Sequence, residues 1–316
     1  MNRMWYIVCA AVGMILIQGC TCDCSTCHGV NPWRHVRVEF DTTMCPDISA
    51  EGMCAFFYSD EDDYPWRFDF AGTAGGKISI PPNAFSVLAY NNDTYRTIVT
   101  DADSYALCSF TTPPTGVFES VAPLSRVAIP GGPPEGSEDV LKMPQMMWCG
   151  VRDMVNTATD TVVIIKLVQA TGRIRVNISE VANIDDIGRL SAIITGMPSS
   201  YRCSTMSSSS ESLAAIPFGI NRNSAEANTL SGEVMAFVKT DYTVRSYVLL
   251  YVWLTDGKKY YYKFDVTDQM SEAPDPYDIE LTLGPITIPE ASGGGGGGGL
   301  DVGVDGWDYV IIDMQS

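Results

Sequence analysis

The chain has 316 residues, a formal net charge of −18 and only two histidines. A sequence pI near 4.3 disfavours a nucleic-acid partner, because such binding needs a basic surface that displaces counterions from phosphates. His28 and His35 both lie near the N-terminus, so the body of the chain lacks the imidazole of serine–histidine or cysteine–histidine catalysis. The length of the chain predicts about two domains, and its 46% hydrophobic residues are enough to form a hydrophobic core in each.

The first 19 residues are typical of an export signal. Arg3 gives the segment a positive start, and the apolar run that follows is too short to span a bilayer. Residues 17–20, with the sequence IQGC, resemble the bacterial lipobox, whose cysteine is acylated and becomes the mature N-terminus. We therefore expect a signal peptide over residues 1–19 and a tether over residues 20–33, held in membrane lipid by acylated Cys20. The alternative is an ordinary secretory signal in which Cys20 has no special role.

The tether contains a short cysteine motif. Residues 24–28, CSTCH, match the pattern of haem attachment and offer soft metal ligands. A c-type haem needs a packed pocket, whereas this run begins beside the expected lipid site. We therefore expect no cofactor and no metal, and disulfides or free thiols in the tether. Further along, Cys108, Cys149 and Cys203 lie in or next to apolar runs, and we interpret them as small buried residues rather than a disulfide framework.

Apolar and polar residues alternate with a period of two along most of the chain after the tether, as half-buried strands require. Residues 161–168 are instead apolar at nearly every position, which favours a central strand of a sandwich. Convincing amphipathic helices are nearly absent, so the sequence predicts an all-β fold. The clearest predicted strands lie at residues 35–41, 77–80, 173–178, 246–254 and 260–266.

Prolines and glycines divide the chain into two parts. They interrupt any strand ladder between residues 111 and 144, and one more strand is predicted at 145–151 before a polar gap at 156–160. We therefore predict an N-terminal β-sandwich domain over residues 34–156, with the proline-rich segment as a loop before its last strand. A C-terminal β-sandwich domain is predicted over residues 157–316.

The C-terminal segment combines acidity, glycine and a strand pattern. No lysine or arginine follows Lys263, and the run of glycines at residues 293–299 is predicted to be a flexible linker. The alternation after it predicts a terminal strand over residues 300–313. This strand either folds back onto the chain's own second sandwich or adds to an open sheet edge of another subunit. The residues predicted to form the exchanged or closing strand are Leu300, Val302, Val304, Trp307, Tyr309 and Ile311.

A family resemblance covers most of the chain. Its elements are the lipobox and tether, the alternating strand at 36–40, the sequence EGM at 51–53 before FFY at 56–58, glycine-bearing residues 70–78, YNNDT at 90–94, and LDVGVDGW after the glycine run. In these features the chain resembles the fimbrillin-related lipoproteins of the Bacteroidales, in particular the fimbrial anchor and accessory group. The resemblance implies two transthyretin-like β-sandwich domains, an outer-membrane lipid anchor at Cys20 and strand exchange with fimbrillin-type subunits. It implies no catalytic residues.

We therefore expect a surface-exposed, lipid-anchored protein of the cell outer membrane that acts in adhesion and assembly rather than as an enzyme. Two alternatives stay open. Paired carboxylates could support glycoside hydrolysis, although the sequence places no pair in space. A glycan or host ligand could instead bind to exposed aromatic residues, although such residues more often fill sandwich cores. The tryptophans in question are Trp33, Trp66, Trp148, Trp253 and Trp307.

Overall fold

The computed structural model describes residues 33–115, 126–128, 137–210, 212–291 and 308–311. These residues contain strands β1 to β25, a 3-10 helix at Ile184–Asp186 and one short α-helix, α1, at Thr267–Ser271. The prediction of an all-β fold is confirmed. The signal peptide, Cys20 and the CSTCH motif lie outside the described residues.

The strands follow one another along the chain as follows. The first nine are β1 (Arg34–Asp41), β2 (Met53–Tyr58), β3 (Trp66–Phe70), β4 (Gly76–Ile80), β5 (Ala84–Asn91), β6 (Ile98–Thr100), β7 (Ser109–Thr111), β8 (Arg126–Ala128) and β9 (Ser137–Val140). The next eight are β10 (Trp148–Asn156), β11 (Val162–Lys166), β12 (Val168–Gln169), β13 (Thr171–Ile178), β14 (Val181–Ala182), β15 (Ile187–Pro198), β16 (Ser200–Arg202) and β17 (Ser207–Ser208). The last eight are β18 (Leu213–Phe218), β19 (Ile220–Arg222), β20 (Leu230–Phe237), β21 (Tyr247–Leu254), β22 (Lys259–Asp265), β23 (Asp278–Leu283), β24 (Ile286–Thr287) and β25 (Asp308–Ile311).

The first sandwich packs a three-stranded sheet, in the order β11-β1-β4, against a five-stranded sheet, in the order β12-β10-β5-β2-β3. The predicted alternation is observed in β1, where Val36, Val38 and Phe40 are buried and the residues between them are more exposed. From the facing sheet, Phe57 and Val87 enter the same core. The period-two pattern therefore encodes which face of each strand is covered.

The strand predicted to be central in the second sandwich is an edge strand of the first, so that prediction is wrong. β11 pairs in parallel with β1 and lies at the end of its sheet. Val163 and Ile165 are buried, whereas Val162 and Ile164 are 44% and 53% exposed. A run of apolar residues indicates hydrophobicity on both faces of a strand, but only one face of this sheet packs against another layer.

The chain crosses between the two sandwiches more than once. Because β11 and β12 pair with β1 and β10, the first sandwich extends to about residue 170, beyond the predicted boundary at 156. The proline-rich segment does not form only a loop of the first domain, since β8 pairs with β9, and β9 pairs in parallel with β18 of the second sandwich. The reason is packing: Val140 is fully buried beside Ile193 and Leu249.

The second sandwich packs a four-stranded sheet, β19-β20-β13-β23, against a seven-stranded sheet, β25-β22-β21-β15-β18-β9-β8. Ile174 and Val176 from the smaller sheet meet Leu250, Val252 and other apolar residues of the larger sheet in one core. A pair of short parallel strands, β14 and β24, lies beside these sheets. Helix α1 closes one end, where Met270 is buried in the same core.

A third layer joins the two sandwiches. The order of its strands is β17-β16-β7-β6, so β6 and β7 from the first half of the chain pair with β16 and β17 from the second half. Phe110 of β7 packs against Tyr90 and Tyr201, with ring centroids 5.4 Å and 6.2 Å apart. We call this layer the bridging sheet and the cluster beneath it the junction core. The buried members of the junction core are Cys54, Phe56, Leu88, Tyr90, Cys108, Phe110, Met147, Cys149, Ala170, Tyr201, Cys203 and Phe237.

A buried lysine links three backbone segments of the second sandwich. The Lys239 ammonium donates to the carbonyls of Gly196 and Val244, at 2.8 Å and 2.7 Å, and to Ser246 Oγ at 2.9 Å. At the same residue, the Gly196 N–H donates to both carboxylate oxygens of Glu138 in β9. This network fastens β9 to the end of β15, because each polar group satisfies a buried partner.

Candidate assembly surface

The described part of the C-terminal strand lies at the edge of the seven-stranded sheet. β25 runs parallel to β22, and the pairs include Tyr261 with Tyr309 and Lys263 with Ile311. In this arrangement the segment joins the chain's own sheet, as in the fold-back alternative. Exchange between subunits stays a prediction. The other predicted residues of this strand, Leu300, Val302, Val304 and Trp307, lie outside the described residues.

The strand that receives β25 is firmly anchored. Tyr262 is fully buried and its hydroxyl donates to the Thr287 carbonyl at 3.0 Å. Burial raises the pKa of Tyr262 to about 12, so this hydroxyl keeps its proton at physiological pH. At the end of β22, the Arg245 guanidinium contacts the Asp265 carboxylate at 2.6 Å. β22 is therefore a rigid template whose outer edge can accept a strand.

Aromatic residues cover the outer face of the sheet next to this edge. Alternate residues of β21 and one residue of β22 point away from the second core, and the rings of Tyr251 and Tyr261 lie 6.1 Å apart. Cations flank them: Lys263 Nζ lies 3.9 Å from the centre of the Tyr247 ring, and the Arg189 guanidinium lies 5.2 Å from Trp253. Aromatic and cationic groups together suit apolar or acidic strand residues. We call Tyr247, Tyr251, Trp253 and Tyr261 the aromatic stripe.

A second open edge occurs on the first sandwich. β11 is the terminal strand of its sheet among the described strands. Beside it runs a groove of about 460 Å³, with exposed Val162 and Ile164 on one wall and Val151 and Val155 among its other lining residues. Lys166 lies at the same edge. An edge with apolar side chains and unpaired backbone groups is the kind of surface to which another strand can add.

A cleft of about 500 Å³ lies beside the junction core, and several of its polar groups are paired within the chain. Arg67 covers the ring of Phe56, with its guanidinium 5.5 Å from the ring centre, and it also contacts Asp69 at 2.9 Å. Asn92, another lining residue, donates to the same Asp69 carboxylate at 2.7 Å. The aromatic residues of this cleft therefore support packing of the fold and offer no open ring face.

The tryptophans that could bind a glycan have different environments. Trp33 is 52% exposed and packs edge-to-face on Trp66, with ring centroids 5.3 Å apart. Trp66 Nε1 donates to the Asp62 carboxylate at 2.9 Å. Trp148 is buried in the first core and cannot contact a ligand. Trp253 belongs to the aromatic stripe, and Trp307 lies outside the described residues.

The described metal-ligating side chains do not gather into a candidate metal site. Within the described ranges, no group of three or more His, Cys, Asp or Glu residues is arranged to hold a metal ion. The five described cysteines are all buried and free, as expected for Cys108, Cys149 and Cys203; the others are Cys45 and Cys54. Among the described helices, none has the length and hydrophobicity needed to cross a membrane.

Sequence reasoning missed the β11 edge and the bridging sheet. The signal for the edge was present in Lys166, a charged residue directly after the apolar run, because lysine is common on edge strands. The bridging sheet gave no comparable signal, since β6, β7, β16 and β17 are each two or three residues long.

Two β-sandwiches joined by a bridging sheet define the chain as an all-β protein. The chain belongs to the family described as "Domain of unknown function (DUF5119)", whose model matches residues 22–219. No curated protein matches the sequence significantly.

Solved structures share the fold. A "putative adhesin" from Bacteroides ovatus ATCC 8483 is 19% identical, with a TM-score of 0.62, over 87% of this chain and 98% of that chain. A second "putative adhesin" from B. ovatus is 10% identical, with a TM-score of 0.52, over 84% and 90% of the two chains. A structure described as "putative polysaccharide binding proteins (DUF1812)" from Bacteroides thetaiotaomicron is 9% identical, with a TM-score of 0.51, over 79% and 89%. The resemblance to the fimbrillin-related group is thereby confirmed for the fold.

Proposed function

We propose that this chain is an outer-membrane lipoprotein that acts as a surface adhesin or a fimbrial anchor or accessory subunit, without enzymatic activity. The lipobox at residues 17–20 supports the lipid anchor, and the tether over residues 20–33 would connect acylated Cys20 to the first sandwich, whose strand β1 begins at Arg34. The fold shared with Bacteroides adhesin candidates supports the same role. The partners are then membrane lipid, through Cys20, and fimbrillin-type subunits.

The assembly step in this proposal is β-strand complementation. The observation that carries it is that the described part of β25 pairs through four residues with β22 at the edge of the seven-stranded sheet, and that seven consecutive glycines precede it in the sequence. A backbone hydrogen bond contributes about 1 kcal/mol net, so a strand this short is held weakly. An equivalent strand from another subunit would restore the same backbone bonds.

The β11 edge supplies a second element of the proposal. Its exposed Val162 and Ile164 alternate with buried Val163 and Ile165, so an added strand would extend the sheet without disturbing the core. One subunit would then offer a C-terminal strand at one end and an acceptor edge at the other. Head-to-tail contacts of this kind produce polymers rather than closed dimers.

The lipid anchor is tested by membrane fractionation of the full chain and of Cys20→Ala expressed in a Bacteroides host. We expect the wild-type chain in the outer-membrane fraction and the variant in the soluble fraction. Cys22→Ala, which changes a tether cysteine outside the lipobox position, is the matched control and should behave as wild type. Wild-type protein that never enters the membrane fraction would contradict the proposal.

Strand exchange is tested with a chain that lacks residues 300–316. Immobilised wild-type protein should capture fimbrillin subunits from surface fibres, and the truncated chain should lose this capture while it still binds membranes through Cys20. Ile164→Lys examines the acceptor edge, with the exposed Ile98→Lys as its control. Undiminished capture by the truncated chain would exclude donation of the C-terminal strand.

Glycan binding is a second candidate, favoured by the partly exposed pair Trp33 and Trp66. A protein with the same fold is described as polysaccharide binding. Arrays of neutral and acidic oligosaccharides, probed with the full chain, should show binding that Trp33→Ala abolishes. Tyr64→Ala, at an even more exposed aromatic residue, is the control. Binding that survives Trp33→Ala would rule out this surface.

A further inference from the structure

Two cysteines face each other where the bridging sheet joins the two halves of the chain. Cys108 directly precedes β7, and Cys203 directly follows β16. These strands pair antiparallel, with Ser109 opposite Arg202. One step further along the ladder, Cys203 lies opposite Cys108, and the Cys203 N–H donates to the Cys108 carbonyl at 3.0 Å.

This placement satisfies the geometric requirement of a disulfide. Directly opposed residues of antiparallel strands have Cα atoms about 4.5–5.5 Å apart, within the range of about 4.4–6.8 Å found for disulfide-linked residues. Both thiols are free in the structure, and each lies close enough to the other to shift its pKa. Both residues are fully buried in the junction core.

The other described cysteines have different partners. Cys45 Sγ donates to the Leu167 carbonyl at 3.6 Å, and Cys54 Sγ to the Tyr90 carbonyl at 3.4 Å. Burial raises the pKa of Cys149 to about 12, and the neighbouring Tyr201 opposes this shift. Among the five cysteines that the structure describes, these three therefore contact other groups of a core, whereas Cys108 and Cys203 lie opposite each other.

We propose that Cys108 and Cys203 form a disulfide bond that covalently ties the first half of the chain to the second through the bridging sheet. The oxidant is an external disulfide, such as oxidised glutathione or a disulfide-exchange protein. The Cys108 thiolate attacks one sulfur of that disulfide and releases one thiol. The Cys203 thiol then loses its proton and attacks Cys108 Sγ, which forms the protein disulfide and releases the second thiol. Two electrons pass to the external disulfide in all.

The local environment assigns the two roles. The hydrogen bond from the Cys203 thiol lowers the pKa of Cys108, which favours the thiolate that attacks first. Burial raises the pKa of Cys203, so this thiol is the slower partner and resolves the mixed disulfide. Both sulfurs are fully buried in the native fold, so the external disulfide reaches them when the junction core opens locally around the paired strands β7 and β16.

The bond would matter for the stability of the junction. Cys108 and Cys203 are roughly 95 residues apart in the sequence, and closing a loop of that size restricts the unfolded chain strongly. It would also connect a segment that follows β5 of the first sandwich to one that follows β15 of the second. A protein that carries load between a membrane and a partner would then transmit force through a covalent link as well as through packing.

The test begins with the full-length chain, unfolded and reduced, and then refolded in a glutathione redox buffer. Free thiols are blocked with iodoacetamide under denaturing conditions, and the protein is digested without reduction for mass spectrometry. We expect a linked peptide pair that contains Cys108 and Cys203, with Cys45, Cys54 and Cys149 alkylated. Alkylation of both Cys108 and Cys203, or linkage of either to another cysteine, would overturn the proposal.

A second measurement uses the melting temperature. Reduction of the refolded wild-type protein should lower Tm by roughly 5–10 °C. Cys203→Ser should abolish both the linked peptide and the response to reduction. Cys54→Ser, a buried cysteine with only a carbonyl partner, should keep both. Before this measurement, the peptide map must show the linked pair in the wild-type protein. If reduction of that protein then leaves its Tm unchanged, the bond does not stabilise the junction as proposed.

Discussion

The two large sheets of this molecule are both buried on two faces, but they end differently. In the five-stranded sheet, β2 is buried on both faces, since Phe57 enters the first core and Phe56 enters the junction core. The seven-stranded sheet buries its inner face in the second core, and on its outer face Ile193 and Leu249 are fully buried beside the aromatic stripe. Its outermost strands, β8 and β25, come from distant parts of the chain and consist of three and four residues.

The difference separates structural parts from parts available for assembly. A sheet covered on both faces loses apolar contacts from either side when it opens, so its strands exchange only on global unfolding. A short terminal strand adds few backbone bonds and can be replaced by an equivalent segment. We therefore expect the first sandwich and the junction to supply rigidity, and the ends of the outer sheets to supply binding.

The largest effect is expected from Phe110→Ala in the junction core. Phe110 is fully buried between Tyr90 and Tyr201, and removal of such a ring lowers the free energy of unfolding by about 3–5 kcal/mol. Urea denaturation measures the loss. Calorimetry should show the single transition of the wild type divide into two, because the junction couples the sandwiches.

The control for this prediction is Leu107→Ala, three residues earlier and 53% exposed, which should change stability by less than about 0.5 kcal/mol. If Phe110→Ala lowers the free energy of unfolding by less than about 1 kcal/mol, the junction core does not hold the two sandwiches together and they fold independently.

The next largest effect on stability is expected in β11. Two neighbouring residues of this strand test whether it lies at the edge of its sheet. Ile165→Ala should lower the free energy of unfolding by about 2–5 kcal/mol, because the side chain fills the first core. Ile164→Ala, at the adjacent exposed position, should cost less than about 1 kcal/mol. Chemical denaturation measures both changes. Equal losses of free energy at the two positions would indicate that β11 is a central strand, as the sequence predicts, and not an edge strand.

Lys239→Met should lower the free energy of unfolding by about 2–4 kcal/mol. The variant leaves the Gly196 and Val244 carbonyls and the Ser246 hydroxyl without their charged donor. Thermal melts and urea titrations measure the change, and Lys77→Met on an exposed strand position provides the control. An unchanged midpoint would show that water replaces the ammonium without loss.

The same lysine predicts a pH dependence. Burial lowers the pKa of Lys239 to about 8, from an ordinary value of 10.5. Between these two pH values the unfolded chain binds more protons than the folded chain, so this residue makes stability rise with pH from about 8 towards 10. The wild-type curve minus the Lys239→Met curve isolates this contribution. A difference that falls over this range would contradict the sign.

The smallest effect on stability is expected from removal of residues 300–316. The described contact of this segment is a four-residue parallel pairing with β22, so its loss should lower the free energy of unfolding by no more than about 2 kcal/mol. Measurement is by urea denaturation of the purified truncated chain. Failure of that chain to fold would show that the terminal strand is an essential part of the second sandwich.

The sequence predicted individual strands well and their neighbours poorly. The alternation at residues 35–41 correctly identified β1 and its buried face, and the aromatic run at 260–266 identified β22, because side-chain periodicity is a local property. Residues 161–168 were also recognised as a strand. Their place at an edge depends on the parallel partner β1, more than a hundred residues away.

By itself, the sequence determined the all-β class, the family and the position of most strands, since these depend on composition, motifs and a period of two. It also located the candidate anchor at Cys20 and the acidic terminal segment. Only the tertiary structure decided that β9 and β25 join the same sheet and that Cys108 faces Cys203. Such pairings are set by packing between distant segments, for which a single sequence carries no local signal.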